Sequence, residues 1–415
     1  MKPIIIRSIM SALAFAALAA APAGLAQSPP EAVTLANDPL RLAVGFAKAD
    51  ITPERSADLF GYPFKMRPGN DGVLDPLAVR ACALRRDGAP AVLVVFDLCV
   101  LPTEWALALR AKIAAELKIG TERVLVSTTH THAGPACTPA YLQGIEERAL
   151  DTARKAAVMT FPATAWVRES ALGLGYHRRV LVEGRARMCW NPDINTDLVP
   201  EAAPDPTLTL LAFRQSNGPR QFWLWSLGIH PVTLGQGNRL ISGEFPAVAC
   251  AQLEAEFPDS HALFLQGAGG NVNPWISSQD TQNVQRLARA ASAFIGVLQR
   301  GVRPVHADKK TGLACAATTV TLGREQFEIA MWRLGDVWIA AAPVELMAEL
   351  GAALRARLKA PVLWVTLANG WHGYCPTRAA MQEGGHEARN VPAGFTAGDG
   401  EKLIDALAAL AGTIQ

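Results

Sequence analysis

Apolar residues gather in short, nearly unbroken runs at 91–96 (AVLVVF), 123–127 (RVLVS), 222–227 (FWLWSL), 262–265 (ALFL), 337–341 (VWIAA) and 362–367 (VLWVTL). Each run is too short for a helix and too continuous for a strand with one wet face, so the pattern predicts strands covered on both faces. Between them, at 103–117, 145–158, 246–257, 280–298, 345–358 and 401–411, apolar residues fall on one stripe of a helix with charge on the other. Alternation of the two patterns predicts an α/β fold, central β-sheets flanked by helices. No long Pro/Gly/Ser linker and no internal repeat breaks the chain after an irregular lead-in at 27–40 (QSPPEAVTLANDPL), so a single domain over 27–415 is expected.

Composition narrows the class. Half of the 415 residues are apolar, enough to bury a large core without disulfides or metal as staples. The 39 basic and 37 acidic residues are interspersed without blocks of one sign, which argues against a nucleic-acid partner. Residues 1–26 place Lys2 and Arg7 before an alanine-rich apolar run ending in small residues, the form of a cleaved secretory signal peptide. A membrane anchor is the competing reading, but Pro22 and Gly24 break the run and a polar segment follows. Export to the periplasm or medium is therefore expected, with at most peripheral membrane contact. The seven cysteines are dispersed and form no CxxC pair, so they read as neither a disulfide framework nor a thiolate zinc site, although one or two disulfides are compatible with export. Cys99, inside VVFDLCV, reads as a small buried hydrophobe.

The polar residues able to do chemistry follow directly on the apolar runs. His130 and His132 come after 123–127, His230 after 222–227, a GAGGN loop (267–271) after 262–265, Glu345 after 337–341 and Tyr374 after 362–367. In helix-flanked sheets, ligand sites gather at strand ends, and these residues converge if enough of the strands run the same way. In an extended H-x-H tract both imidazoles lie on one side, because side chains repeat every two residues. Packed histidines would read the same way in isolation. His230, in GIHP, is alone a core histidine as readily as a ligand, but with His130 it makes half of a zinc donor set. Glu345, expected at the start of a helix, is by position no more than a carboxylate facing a helix dipole.

Read in order, the tracts 44–53 (VGFAKADITP), 59–64 (LFGYPF), 127–135 (STTHTHAGP), 228–235 (GIHPVTLG), 241–247 (ISGEFPA), 264–274 (FLQGAGGNVNP), 342–349 (APVELMAE), 373–377 (GYCPT) and 384–388 (GGHEA) resemble the catalytic domain of the neutral/alkaline ceramidases. The resemblance covers nearly all of 27–415. It implies a Zn2+ cofactor held by His130, His230, Glu345 and Tyr374, with His132 beside the metal stabilising an oxyanion or carrying a proton. Cys375 is a rival donor to Tyr374. Arg178 matches a family arginine near the site and would hold the substrate's polar head, and Gly267, Gly269, Gly270 and Asn271 would bring backbone N–H groups close to the substrate. The implied reaction is hydrolysis of an N-acyl lipid such as ceramide to fatty acid and sphingoid base by zinc-bound water.

The chain also departs from that pattern. Asn273 stands where longer members carry a serine, and a side-chain amide forms no acyl-enzyme, so Asn273 is expected to donate a hydrogen bond instead. Glu244 replaces a common aspartate and His386 a common tyrosine, and the C-terminal β-sandwich domain of longer ceramidases is not in this sequence. These differences leave open a zinc hydrolase of another amide or ester, and a non-catalytic exported lipid- or sugar-binding protein.

Overall fold

The unbroken apolar runs become the parallel strand pairs of two stacked sheets. The computed structural model describes residues 39–62, 67–276, 280–307 and 312–414; the leader at 1–26 and most of the lead-in at 27–40 lie outside the described residues. Strands β1 (Arg41–Asp50), β2 (Ala78–Arg85), β3 (Ala91–Phe96), β4 (Val124–Thr128), β5 (Thr160–Ala171), β6 (Thr207–Gln215), β7 (Gln221–Leu227) and β8 (Ser260–Gln266) form the larger sheet. Their spatial order is β8-β7-β6-β5-β1-β2-β3-β4, with Arg303–Pro304 pairing on β5. The smaller sheet runs β9 (Leu313–Leu322), β10 (Glu325–Leu334), β11 (Val337–Ala342), β12 (Val362–Thr366). Pairs β3/β4, β7/β8 and β11/β12 are parallel and the remaining ladders of these sheets antiparallel.

The sheets stack face to face. Leu93, Leu125, Leu224 and Leu263 of the larger meet Trp332, Ile339, Leu363 and Val365 of the smaller in one buried cluster. Each such aliphatic side chain contributes roughly 1.5–3 kcal/mol on burial. Helices α1 (Thr103–Leu117) and α2 (Pro139–Val158) cover β2 and β3 through Leu109, Ile113 and Ile145. Helices α3 (Glu244–Glu256) and α4 (Thr281–Leu298) cover β6 to β8. Helices α5 (Ala348–Leu358) and α6 (Asp399–Thr413) cover the smaller sheet through Leu350, Leu354, Leu403 and Leu407. The result is an αββα stack, and 36–415 cluster as one compact unit.

Two features of this stack bring the site together. Five antiparallel steps separate edge strand β8 from edge strand β4, so on a flat sheet they would run in opposite directions. Strands twist by about 20–25° per step, which over seven steps accumulates on the order of 150° and turns the two edges nearly into register of direction. The loops after β4 and β7 therefore meet, with the rings of His130 and His230 only 4.8 Å apart between centroids.

Second, β12 is an edge strand whose outward carbonyls are taken up by hydroxyls of the larger sheet. Thr209 donates to Val362 O (3.1 Å), Ser226 to Trp364 O (3.0 Å) and Ser127 to Thr366 O (2.9 Å). Buried carbonyls need such partners. The seam locks the C-terminal end of β12 beside that of β4, and the Thr366 hydroxyl extends it to Gln266 O at the end of β8 (3.0 Å).

One expected element differs. Glu345 does not begin a helix: Glu345–Leu346 pairs in parallel with Tyr374–Cys375, placing Glu345 opposite Tyr374, and the helix starts at Ala348. Apolar periodicity cannot separate a helix turn from a buried extended segment; the pairing partner, far along the chain, decides.

Candidate active site and metal centre

His130 leaves β4 with φ of 68°, a left-handed conformation that a non-glycine residue holds only when its surroundings compel it. The Nδ1 of His130 lies 2.9 Å from Cys99 O, and Nδ1 of His230 lies 2.7 Å from Gly269 O. A ring nitrogen against a carbonyl is the protonated one, so each Nε2 is left as an acceptor. Both acceptors face one carboxylate oxygen: Glu345 Oε2 is 3.3 Å from His130 Nε2 and 3.1 Å from His230 Nε2.

Three such groups converging in a buried site are compatible with a cation between them, as they are with a proton on His130, whose imidazole, against the opposing effect of burial, is held well above its usual range by Cys99 and Glu345. Two imidazoles and a carboxylate, with the imidazoles oriented by backbone carbonyls, fit zinc, and His130, His230 and Glu345 could hold such an ion. Burial first, then Arg178, pushes His230 down to about 4, so it is an unprotonated base at neutral pH. Tyr374 reaches the same place from the register opposite Glu345. Its phenol is pushed well up by burial and by the Glu345 carboxylate, so the hydroxyl stays protonated unless a cation draws off the proton. Cys375 points the other way, into the apolar cluster beneath α5 and α6, and is no rival donor.

His132 continues the H-x-H tract, with Nε2 3.4 Å from His130 Nε2. Its imidazole is held well below its usual range by burial and by His130 and His230, and its Nδ1 has no hydrogen-bond partner among the described residues. These residues sit at the floor of a cavity of about 690 Å3 whose walls include Phe60, Tyr62, Val100, Trp190, Ile194 and Val232.

Arg178, expected to grip a substrate head group, lines the cavity but spends its donors on the protein. Nη2 donates to Gly270 O (2.7 Å) and the Tyr374 hydroxyl (3.1 Å), Nη1 to Asn273 Oδ1 (3.2 Å) and Nε to Glu387 (2.8 Å). Asn273 also lines the cavity, with Nδ2 donating to Trp190 O at 3.2 Å.

The glycine-rich loop differs more from expectation. Gly267, Gly269, Gly270 and Asn271 are not among the cavity-lining residues. The amides of Gly267 and Gly270 go to Leu227 O and Leu346 O. The glycines serve close backbone approach: a Cβ on Gly270 would stand 2.7 Å from Glu345 O. Asn271 caps α5, accepting from Ala348 N (2.9 Å) and donating to Glu349 (2.8 Å).

The chain aligns with the crystal structure of neutral ceramidase from Pseudomonas aeruginosa with a TM-score of 0.75 at 17% identity, over 90% of this chain and 74% of that one. A ceramidase complexed with C2 aligns at 0.76 and 18% identity, over 91% of this chain and 76% of that one. The fold is that of the neutral ceramidases. No protein-family model matches the sequence, and no curated protein matches it. Of the residues expected from the sequence, His130, His132, Glu345, Tyr374, Arg178 and Asn273 line one cavity, and His230 joins them through Glu345.

Further side chains reach the same place. Glu387 is fully buried and bonds both Arg178 and Arg179; burial alone would raise its carboxyl, but the two guanidiniums pull it down to about 2. The adjacent arginines were the available signal, since a buried cation pair demands an anion. Trp371 donates to Glu345, and Cys99 lies at the cavity wall with Sγ 3.7 Å from His130 Nδ1. All seven cysteines are free thiols.

Proposed function

We propose that this protein is a zinc-dependent hydrolase of a neutral N-acyl lipid of the ceramide type, releasing fatty acid and a sphingoid base. The observation that carries the reading is the convergence of the His130 and His230 Nε2 acceptors on Glu345 at the floor of a largely apolar cavity, within the neutral-ceramidase fold. His130, His230, Glu345 and Tyr374 would hold the ion. When bound, zinc supplies Lewis acidity toward an acyl oxygen and makes water a nucleophile near neutral pH.

The side chains of this chain do the remaining work. Neutral His132 takes a proton from the attacking water and returns it to the departing amine nitrogen, as a general base and then a general acid. Arg178, tied by Glu387, positions the Tyr374 oxygen and Asn273 rather than gripping substrate. Beyond that guanidinium and Glu345, the polar side chains Asn191, Gln236, His386 and Asn390 of the lining carry no formal charge at neutral pH, which suits a neutral head group, while Trp190, Ile194 and Val232 suit an acyl chain. The C2 bound by one ceramidase of this fold agrees with such a substrate class. Cleavage of residues 1–26 and export, with peripheral contact to lipid, complete the proposal.

Purified protein tests it. The reading expects stoichiometric zinc by elemental analysis and release of fatty acid from a short-chain N-acyl sphingoid, abolished by chelation. Turnover of esters but not amides moves the protein to another hydrolase class. Zinc-replete protein that binds the lipid without turnover makes it a binding protein.

A further inference from the structure

Trp371 stands at the rim of the cavity, 38% exposed, yet its indole reaches inward. Its Nε1–H donates to Glu345 Oε1 at 2.9 Å, whereas the other carboxylate oxygen, Oε2, faces both imidazole Nε2 atoms. The two oxygens thus have separate partners. A glutamate carboxylate otherwise turns about a broad, twofold terminal torsion and would offer a cation either oxygen or both.

The indole is itself held in place. The backbone N–H of Trp371 is accepted by Thr103 Oγ1 (3.2 Å) at the first turn of α1. Gly370 packs so closely on Thr103 that a Cβ would stand 2.5 Å from its Oγ1. The next residue, His372, donates its N–H to Pro343 O (2.9 Å), and its Nδ1 lies 2.6 Å from Glu325 Oε2 on β10. Residues 370–372 are thereby clamped to a helix, a strand and the turn that precedes Glu345. Neither Thr103 nor Glu325 is hydrogen-bonded to the carboxylate; their influence arrives through the indole.

We infer that Trp371 is a positioning residue that turns Glu345 into a single-oxygen donor, and that the Thr103 and His372–Glu325 contacts are its clamp. The inference rests on the zinc-site reading above. Loss of a group that orients a metal-binding side chain typically costs about 10–100-fold in metal affinity. It follows that an aromatic ring without the N–H at this position lets the carboxylate turn.

The test is zinc affinity of the metal-free full chain, measured by competition with a chelator of known strength, for wild type, Trp371→Phe and Thr103→Val. Phenylalanine keeps a smaller aromatic wall and removes the donor. The expected result is zinc bound about 10–100-fold more weakly by Trp371→Phe, an unchanged melting temperature of the metal-free protein, and a smaller zinc-dependent change in tryptophan emission than wild type gives. Thr103→Val, which alters neither the cavity wall nor the carboxylate, should weaken zinc binding in the same direction by a smaller factor. It carries the test should the phenylalanine variant fail to fold. Wild type that takes up no zinc overturns the zinc-site reading together with this inference. Wild type that binds while either variant binds equally tightly overturns the inference alone.

Discussion

At the scale of single residues, the site depends on where two imidazoles keep their protons. Cys99 O and Gly269 O each hold an Nδ1–H, so both Nε2 atoms are acceptors aimed at Glu345. Removing either ring removes one of the three groups that converge on the ion's place, so His130→Ala and His230→Ala should lose zinc and activity together, as elemental analysis and fatty-acid release would report. Asn273→Ala should keep full zinc, because Asn273 Oδ1 meets Arg178 and not the acceptor cluster. Gly61 offers a finer probe: its φ is +126° and a Cβ there would lie 2.7 Å from His132 Cγ. Gly61→Ala should therefore displace the His132 ring, leave zinc content intact and lower kcat by up to about 10²–10⁴, the contribution of a positioned proton carrier. Unaltered kcat in a folded Gly61→Ala protein would remove His132 from the proton path.

Among elements, the short helix His386–Arg389 and the strand Gly175–His177 with its continuation at Arg178 and Arg179 are joined by charge rather than by packing. Glu387 titrates at about 2 where an ordinary glutamate titrates near 4.5. A depressed carboxylate contributes stability that is complete above pH 4.5 and is lost as pH falls toward 2; the shift corresponds to about 3 kcal/mol. Glu387→Gln leaves two buried guanidiniums facing a neutral amide, and breaking such a pair costs roughly 3–5 kcal/mol. Urea unfolding should thus show the variant well below wild type at pH 7, with the gap closing as the pH approaches 2. A gap independent of pH would mean that Glu387 acts by shape and not by charge.

For the whole molecule, the decisive joint is the polar seam between the stacked sheets. Ser226 donates to Trp364 O in the buried contact between the sheets, so Ser226→Ala should cost about 1–3 kcal/mol by stranding a buried carbonyl. Asn369, at φ of 62°, acts as a surrogate strand at the end of the seam: its side-chain oxygen accepts from Val126 N (3.0 Å) and its own N–H donates to Val126 O (2.6 Å). Asn369→Ala should then lower stability by a similar amount and, because it frees the chain between β12 and Tyr374, also weaken zinc binding, whereas Ser226→Ala lowers stability alone. Equilibrium unfolding and zinc titration of the two variants would separate these effects.

The amino-acid sequence by itself determined the fold class, the α/β alternation, and the strands of the parallel pairs β3/β4, β7/β8 and β11/β12, because a strand buried on both faces must be apolar throughout and such runs stand out in one dimension. It also exposed the polar residues that follow those strands and meet beside the cavity. Antiparallel β1, β5 and β9 were not legible in it, since their apolar residues alternate with Thr, Arg and Lys and their pairing is settled by neighbours distant in the chain. The extended pairing of Glu345 with Tyr374, the commitment of Arg178 to Glu387, the capping of α5 by Asn271 and the indole bond from Trp371 belong to tertiary structure alone. Each is a contact between segments whose sequences carry no mark of one another, and only the accumulated sheet twist and the seam bring them within hydrogen-bonding distance.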